Sequence, residues 1–337
     1  MSTKKWYRNK FINWSVKLIV LALLSWTIYR QVFAKENAAA IWESFQTHFV
    51  AENIHWLLLN FLLIPVNWGL EALKWQRLIK GFSNYRFWRI FQAILAGVTV
   101  GIFTPNRVGE YGGRILLVEA EHNWKAVIAT MVGSFSQLLA LLSLGLIGLI
   151  YFATQYLEFD VQVLYVLLFL GFVLIALMLF GFYNIDLLIP IAKRIPYIHL
   201  LKKQLVHLRV LTQYSSRELT ITLLYSVLRY LTYSTQYYLM LRFFGIEVSV
   251  LTGFSGIATI YLVQSSIPLP PLIDLLARGE VALFIWQRFS RDEIGILGST
   301  FALFLFNLLV PAIIGAIFIL KINISKSLGY ESVKQEE

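Results

Sequence analysis

Residues 101–114 read GIFTPNRVGEYGGR, and this stretch places a proline and three charged residues inside a region that is otherwise apolar. An apolar run from Phe87 precedes the stretch, and a second run that carries charges follows it as far as His122. A helix is expected to end at Pro105, because proline lacks a backbone donor and clashes with the preceding helical turn. The stretch therefore predicts a helical hairpin that is broken by proline.

The composition surrounding this stretch is that of a membrane protein. The 337 residues are 58% hydrophobic and 14% charged, whereas soluble domains are roughly 45–50% apolar and about 25% charged. Ten Trp, seventeen Tyr and twenty-five Phe suit the aromatic belts at the two membrane surfaces. Soluble enzymes, secreted disulfide scaffolds and disordered regulators are excluded, and the absence of Cys excludes disulfides and Cys-based metal sites.

Several segments are long enough and apolar enough to cross a bilayer. Four of them contain no Asp, Glu, Lys or Arg, namely residues 54–70, 126–157, 161–185 and 294–320. Two more spans are expected at residues 18–29, where Lys17 and Arg30 can extend their charged ends to the interfaces, and at 219–241, which contains Arg229. The sequence thus predicts an all-α, polytopic membrane protein.

The basic residues, which give a net charge of 29 − 19 = +10, occur in alternate connections. They precede the first span, follow 54–70 from Lys74 onwards, fill 193–217 and recur at the C-terminus. By the positive-inside rule both termini are cytoplasmic, and this placement indicates a membrane rather than nucleic acid as the partner. We expect a basic N-terminus at 1–13, one transmembrane domain at 14–320 and a cytoplasmic tail at 321–337. Two alternatives stay open: residues 1–29 as a signal peptide, and 193–217 as either an amphipathic surface helix or a solvated loop.

The pattern of a span, a broken hairpin and a span occurs twice. A shift of 164 positions (274 − 110 = 164) relates the following pairs: Glu110 and Asp274, Arg114 and Arg278, and Gly81 and Gly245. Repeat 1 covers about 54–157 and repeat 2 about 218–320, with the second break at Pro268 and Pro270. Because the equivalent spans run in opposite directions, the two repeats are expected to be inverted. Each hairpin is either re-entrant or a pair of full spans.

The charges within the hairpins are candidates for a binding site. A charge at membrane depth costs on the order of 2.5–3.5 kcal/mol, so it usually has a partner and a function. The first hairpin carries Arg107, Glu110 and Arg114, and the second carries Asp274, Arg278 and Glu280. We expect the arginines and the helix N-termini to bind an anionic group, the acids to hold the arginines, and Pro105, Pro268 and Pro270 to act as gates. Alternatively, the charges only pair the two hairpins with each other.

Two further charges are secondary candidates. Arg229 needs a partner inside its span, and Glu71 or one of the hairpin acids could provide it. Glu71 could instead pair locally with Lys74 or Arg77. The five glycines of the first hairpin indicate close helix packing or a flexible break; they are Gly97, Gly101, Gly109, Gly112 and Gly113.

Signals of an enzyme are weak. Glu119 and His122 have the Glu-x-x-His spacing of a metal site in a helix bundle, but the second copy that such a site usually has is missing. Ser134 and Ser136 have no His or Lys nearby, and no glycine loop carries a Walker lysine. We therefore expect no catalytic residue, no metal and no cofactor.

Residues 101–110, together with Arg114 and the apolar span from 126, resemble the signature of the lysylphosphatidylglycerol synthase transmembrane-region family. This family is related to the flippase portion of the multiple peptide resistance factor, and the resemblance extends over about 10–321. It implies a multi-pass protein of the bacterial inner membrane that takes part in lipid translocation or its support rather than in aminoacyl transfer. Relatives usually have Pro-x-Pro-Gly-Gly in the second half, whereas residues 268–271 here read PLPP, and this departure concerns the identity of the ligand.

The resulting hypothesis is a flippase that moves an anionic phospholipid or a lipid-linked intermediate across the membrane. Its partners would be membrane lipids and no nucleic acid. One alternative is a non-catalytic membrane partner of a lipid-modifying or glycan-assembly enzyme. Another is a membrane enzyme that acts on lipid headgroups, which would require a metal or a covalent intermediate. The sequence leaves the lipid, the energy source and the oligomeric state open.

Overall fold

A computed structural model describes residues 13–15, 17–20, 22–23, 25–26, 38–104, 107–156, 160–187, 189–190, 206–265 and 271–327. Within these ranges every regular element is a helix. The longer helices are α1 (Ala38–His48), α2 (Ile54–Ile79), α3 (Phe87–Gly101), α4 (Gly109–Ile115), α5 (Asn123–Tyr156), α6 (Val161–Tyr183), α7 (Ser216–Phe243), α8 (Val250–Ser265), α9 (Pro271–Trp286), α10 (Glu293–Phe304) and α11 (Val310–Lys321). A π-helical turn, Leu305–Leu309, joins α10 to α11.

Four helical segments of the described chain are long and apolar enough to cross a membrane: Ile54–Ile79, Ala120–Tyr156, Gln162–Tyr183 and Glu293–Lys321. They match the four charge-free runs, so the prediction of a multi-pass helical membrane protein is confirmed. Helix α7 has 28 residues, about 42 Å at 1.5 Å per residue, and covers the expected span at 219–241. Of the expected span at 18–29, residues 18–20, 22–23 and 25–26 are described and are helical, whereas the remaining five lie outside the described residues.

One boundary predicted from the sequence is wrong. The basic connection was expected to begin with Lys74, but α2 continues to Ile79 and Lys74 is only 1% exposed. The charge-free run ends at Glu71 because the helix carries an acid and a base one turn apart. These two side chains form an ion pair of 2.8 Å, which allows both charges to stay inside the fold.

Helices α3 and α4 form the first hairpin and pack closely through glycines. A Cβ atom at Gly113 would collide with the carbonyl of Ala96, and one at Gly101 would lie 2.6 Å from Cγ of Glu110. Gly97 and Gly109 are equally crowded by the opposite helix, whereas a Cβ at Gly112 would meet nothing within 4 Å. Of the two alternatives left open by the sequence, four of the five hairpin glycines therefore fit close packing. Pro105 lies outside the described residues.

Three long-range helix pairs define the core, and each of them is antiparallel. Helix α2 packs along α7, where Asn60 hydrogen-bonds to Gln236 near one end and Lys74 to Ser226 near the other. Helix α3 packs on α11 through Thr99, which donates to the carbonyl of Ala312 at 2.7 Å. Helix α5 packs on α8 with glycines 145 and 148 at the contact.

One helix end recurs at the spacing of the sequence repeat. Helix α2 ends at Ile79 and α7 ends at Phe243. The interval is 164 residues, since 243 − 79 = 164. This is the shift that relates the charged residues of the two hairpins in the sequence.

Helix α6 lies at the edge of the bundle. Its segment Gln162–Tyr183 has a mean hydropathy of 3.0, and only 6% of the window is buried. Large apolar side chains such as Phe169, Leu177 and Phe180 are exposed around it. Lipid chains are the natural surroundings of such a surface.

Candidate functional site

Six ionisable side chains from four segments meet in the interior. Glu71 and Lys74 come from α2, Arg107 from the break of the hairpin, Glu110 and Arg114 from α4, and Arg229 from α7. Glu71, Lys74 and Arg114 are at most 3% exposed. We refer to these six side chains as the charge cluster.

Glu71 is the centre of the charge cluster. Its Oε1 accepts a hydrogen bond of 2.8 Å from Nη2 of Arg114. Its Oε2 lies 2.8 Å from Nζ of Lys74 and 3.2 Å from Nη1 of Arg229. One carboxylate therefore holds three cations from two helices and the hairpin.

Glu110 is the second anion of the cluster. Its two oxygens lie 2.5 Å from Nη2 of Arg107 and 3.1 Å from Nη2 of Arg114. The backbone sets this geometry, because Thr104 Oγ1 accepts a hydrogen bond of 2.7 Å from the amide of Gly109 at the start of α4. Glu110 stands in the first turn of α4 and Arg114 in the last, as the helix dipole favours.

Arg107 lies at the rim of the cluster in an unusual backbone conformation. Its φ angle is +58°, a left-handed value that costs a residue other than glycine roughly 1–2 kcal/mol. Its side chain is 34% exposed. The buried indole of Trp68 contacts two guanidinium groups, with Cζ of Arg107 and of Arg229 at 5.8 and 4.9 Å from the ring centroid, within cation–π range.

A polar network continues from the cluster along α2. Lys74 donates hydrogen bonds to Ser226 and to Gln137. Arg229 then joins Gln137 to Asn67 by donating to both of their side chains. Beyond Asn67, the hydrogen bonds continue in this order: Asn307, Gln236 and Asn60. Asn60 and Lys74 are 14 residues apart on one helix, about 21 Å. The hydrogen-bonded path thus covers much of the width of a membrane core, which is about 30 Å.

The cluster has more positive charge than negative and retains unused donors. Its four cations and two carboxylates sum to +4 − 2 = +2. Nε of Arg107, Nε of Arg114 and Nε1 of Trp68 are buried and have no hydrogen-bond partner among the described residues. Buried donors without partners are costly, so a ligand that accepts hydrogen bonds and carries negative charge would stabilise this arrangement.

The second hairpin is described in part. Arg278 is half-buried and Glu280 is exposed, whereas the side chain of Asp274, together with Pro268 and Pro270, lies outside the described residues. The charge of Arg278 acts on the phenols of Tyr233, Tyr237 and Tyr261. Tyr233 follows Arg229 by four residues on α7, so the two share one face of this helix.

A family model described as "Lysylphosphatidylglycerol synthase TM region" matches residues 14–315. The chain belongs to this family. The match to the lysylphosphatidylglycerol synthase TM-region family includes the whole charge cluster and both hairpins, which confirms the resemblance carried by residues 101–110 and Arg114. No curated protein and no solved structure is significantly similar to the chain.

The structure brings together five residues that the sequence analysis of this family member selected: Arg107, Glu110, Arg114, Glu71 and Arg229. Lys74 was considered only as a local partner of Glu71, whereas Trp68 and the amide side chains of the network were missed. One signal was available, because residues 60, 67, 71 and 74 recur at intervals of seven, four and three and so share one face of α2. The pairing of that face with α7 depends on the fold.

A separate group of possible metal ligands lies away from the cluster. Ligand atoms of Glu119, Glu121 and His122 lie within 4.8 Å of one another. Both glutamates are exposed, and His122 Nε2 lies 3.4 Å from Oε1 of Glu121. Exposed acidic groups of this kind are common on protein surfaces, and we assign no role to this one.

Proposed function

We propose that this protein moves an anionic phospholipid or a lipid-linked intermediate across the bacterial inner membrane, with both termini in the cytoplasm. It would act without a catalytic residue, a metal or a cofactor. The observation that carries the proposal is the charge cluster, a buried group of six ionisable side chains with a net charge of +2. Membership of the lysylphosphatidylglycerol synthase TM-region family supports a role in lipid handling.

Arg107 and Arg114 would bind the phosphate of the headgroup. A guanidinium group donates two hydrogen bonds in a plane that matches phosphate oxygens, and Nε of both arginines is free to donate within the described structure. Arg107 is 34% exposed and Arg114 only 3%. A headgroup would therefore meet Arg107 first and Arg114 at greater depth.

Glu71 and Glu110 would hold the arginines in position between ligands. Each carboxylate pairs with Arg114, and each also pairs with a second arginine. A bound phosphate could replace Glu110 as a partner of Arg107 without leaving Arg114 unpaired, because Glu71 still holds it. This exchange of partners would let a charged group pass at a modest cost in desolvation.

The second of two inverted repeats would provide the other half of the route that the lipid headgroup takes across the membrane. Their support is the 164-residue interval between the ends of α2 and α7 and the antiparallel packing of these two equivalent helices. In such repeats α3 is equivalent to α8, and α5 is equivalent to α10 and α11. Helix α3 packs on α11 and α8 packs on α5, so each repeat makes the same contact with the other. The hairpins would then enter as re-entrant elements from opposite sides, with Pro105, Pro268 and Pro270 as gates and Asp274, Arg278 and Glu280 as ligand contacts.

The direct test measures lipid movement in proteoliposomes that contain fluorescent phosphatidylglycerol, with a reducing quencher added outside. Arg107→Gln and Arg114→Gln are expected to lower the rate to that of protein-free liposomes. Arg209→Gln is the matched control, because Arg209 is exposed on the helical segment Val206–Gln213 away from the cluster. Size-exclusion profiles establish that each variant is folded. Undiminished lipid movement by a folded Arg107→Gln protein would overturn the proposal.

A second candidate function is that of a non-catalytic membrane partner of a lipid-modifying or glycan-assembly enzyme. The observation that favours it is helix α6, whose apolar surface is largely exposed and available to another transmembrane helix. Co-purification of a partner enzyme, together with an absence of lipid movement in the proteoliposomes, would favour this function over transport.

A further inference from the structure

A polar cleft lies on the other side of α2 from the charge cluster. It has a volume of about 310 Å³, at the lower end of the roughly 300–1,000 Å³ that is typical of ligand pockets. Its lining comes from Leu73, Gln76, Arg77, Lys80, Ser83, Asn84, Tyr85 and Tyr225. At 3.6 residues per turn, the lining residues of α2 point nearly opposite to Glu71, so the cleft and the cluster are separate sites.

The chemistry of the cleft suits an anion. Arg77 and Lys80 contribute two positive charges, and no acidic side chain of the described residues lines it. Nε of Arg77 and Oγ of Ser83 are buried and have no hydrogen-bond partner among the described residues. Two cations, one of which has an unused donor, and an unused hydroxyl in the same lining are chemistry that suits a phosphate.

The wall of the cleft is held in place without using these groups. Gln76 Nε2 donates a hydrogen bond of 3.0 Å to the carbonyl of Tyr85, which fixes the connection to α3 against α2. The guanidinium of Arg89 lies 4.2 Å from the ring of Tyr85. Arg77 and Ser83 are thus left for a ligand, and the cleft is formed before a ligand arrives.

An apolar stripe on α2 leads away from the cleft. Leu59, Leu62, Val66 and Leu73 are exposed and recur at intervals of three, four and seven residues, which places them on one face of the helix. A Cβ atom at Gly69 on the same face would meet nothing within 4 Å. From Leu59 to Leu73 the stripe is 14 residues long, about 21 Å, and an acyl chain could lie along it.

We propose that the cleft binds the phosphate group of an anionic phospholipid, whose acyl chain lies along the stripe from Leu73 to Leu59. The positive-inside rule puts the cleft at the cytoplasmic surface, since Arg77 lies in the last turn of α2 and Lys80 begins the basic connection that follows. Free phosphate has the same headgroup chemistry, but it would make no use of the stripe. This site does not depend on the proposed transport.

The experiment separates the two sources of phosphate. In one arm, native mass spectrometry measures the phosphatidylglycerol retained by the delipidated protein in detergent. In the other, inorganic phosphate is added to protein in phosphatidylcholine nanodiscs and the melting temperature is recorded. The lipid site predicts retention of phosphatidylglycerol and no shift of the melting temperature with phosphate. A phosphate-induced shift without lipid retention would overturn the assignment to lipid.

Variants assign the binding to the cleft. The double variant Arg77→Gln/Ser83→Ala is expected to weaken retention about tenfold or more, because it removes a charged donor and a hydroxyl. Val66→Ser changes the stripe alone and is expected to weaken retention of the lipid less. Arg209→Gln removes one charge outside both sites, because Arg209 is exposed on the segment Val206–Gln213, and it should not alter retention. Equal retention by wild type and the double variant, with no effect of phosphate, would overturn the proposal.

Discussion

Arg229 of α7 and Glu71 of α2 are 158 residues apart (229 − 71 = 158), yet Nη1 of Arg229 lies 3.2 Å from Oε2 of Glu71. The same carboxylate pairs with Arg114 of the hairpin and Lys74 of its own helix. The contact therefore joins the two antiparallel helices to each other and to the hairpin through one buried anion. A change at Glu71 therefore affects the packing of α2, α7 and the hairpin.

Replacing Glu71 with Gln is expected to destabilise the protein strongly. Lys74, Arg114 and Arg229 would lose their shared partner, and breaking a buried ion pair typically costs about 3–5 kcal/mol. Unfolding by SDS titration from mild detergent measures the loss. In the Glu71→Gln background, Arg229→Gln should cost less than it does in wild type, because the pair is already broken. Strict additivity of the two changes would contradict the coupling.

Replacing Arg107 with Gly should separate stability from function. Glycine removes the strain at φ +58°, and the side chain of Arg107 as a whole is 34% exposed, so we expect the free energy of unfolding to stay within about 1 kcal/mol of wild type. Lipid movement in proteoliposomes should nevertheless be lost together with the phosphate-binding group. A Gly variant that retains transport would show that Arg107 does not contact the headgroup.

The close approach of α3 and α4 predicts opposite results at adjacent glycines. Gly113→Ala places a methyl group against the carbonyl of Ala96 and should cost about 1–3 kcal/mol through overpacking. Gly112→Ala meets nothing within 4 Å, and it should be neutral or stabilise by up to about 1 kcal/mol through lower entropy of the unfolded chain. Melting temperatures of the two variants in detergent test the contrast, which would fail if both were equally destabilised.

Alkaline pH should weaken the structure at Tyr214, which precedes α7. Burial, and then the negative charge of Glu218, raise the pKa of Tyr214 above its usual value of 10.0, and its hydroxyl donates a hydrogen bond to the carbonyl of Leu78 at 3.0 Å. Because the folded state holds this proton more tightly, the stabilisation is complete below about pH 10 and declines as the pH rises above it.

The measurement for Tyr214 compares unfolding of wild type and Tyr214→Phe from pH 8 upwards. The variant lacks the hydrogen bond and the titrating group, so wild type should be more stable at pH 8 and the difference should shrink above about pH 10. A difference that stays constant over this range would contradict the role of the phenolic proton.

The membrane-spanning segments could be predicted from the sequence because a run without charges is a local property. The same rule placed the end of 54–70 too early, since Glu71 and Lys74 neutralise each other within the helix. Their three-residue spacing allowed a local pair as one alternative, but it did not show that the pair lies inside the fold. The end of the span was placed too early because Lys74 was assigned to the connection that follows the helix.

The composition of the charge cluster was predictable in part. The residues on either side of the proline break were found because charges in an apolar region are costly. The contact of Trp68 with two guanidinium groups, and the chain of amides from Asn67 to Asn60, depend on which face of α2 meets α7. No local pattern encodes that pairing, because it arises from packing between segments that lie more than a hundred residues apart.

The antiparallel packing of α2 and α7 makes a testable statement about topology. The natural sequence contains no Cys, so single cysteines need no altered background. Arg86 follows α2, whereas Glu247 follows α7, and both are exposed. Since the two helices run in opposite directions, their C-terminal connections must face opposite sides of the membrane.

By the positive-inside rule, a membrane-impermeant maleimide added to intact cells should label Glu247→Cys and leave Arg86→Cys unmodified until the cells are opened. Labelling of Arg86→Cys alone would reverse the orientation, and labelling of both from the same side would contradict two oppositely directed repeats.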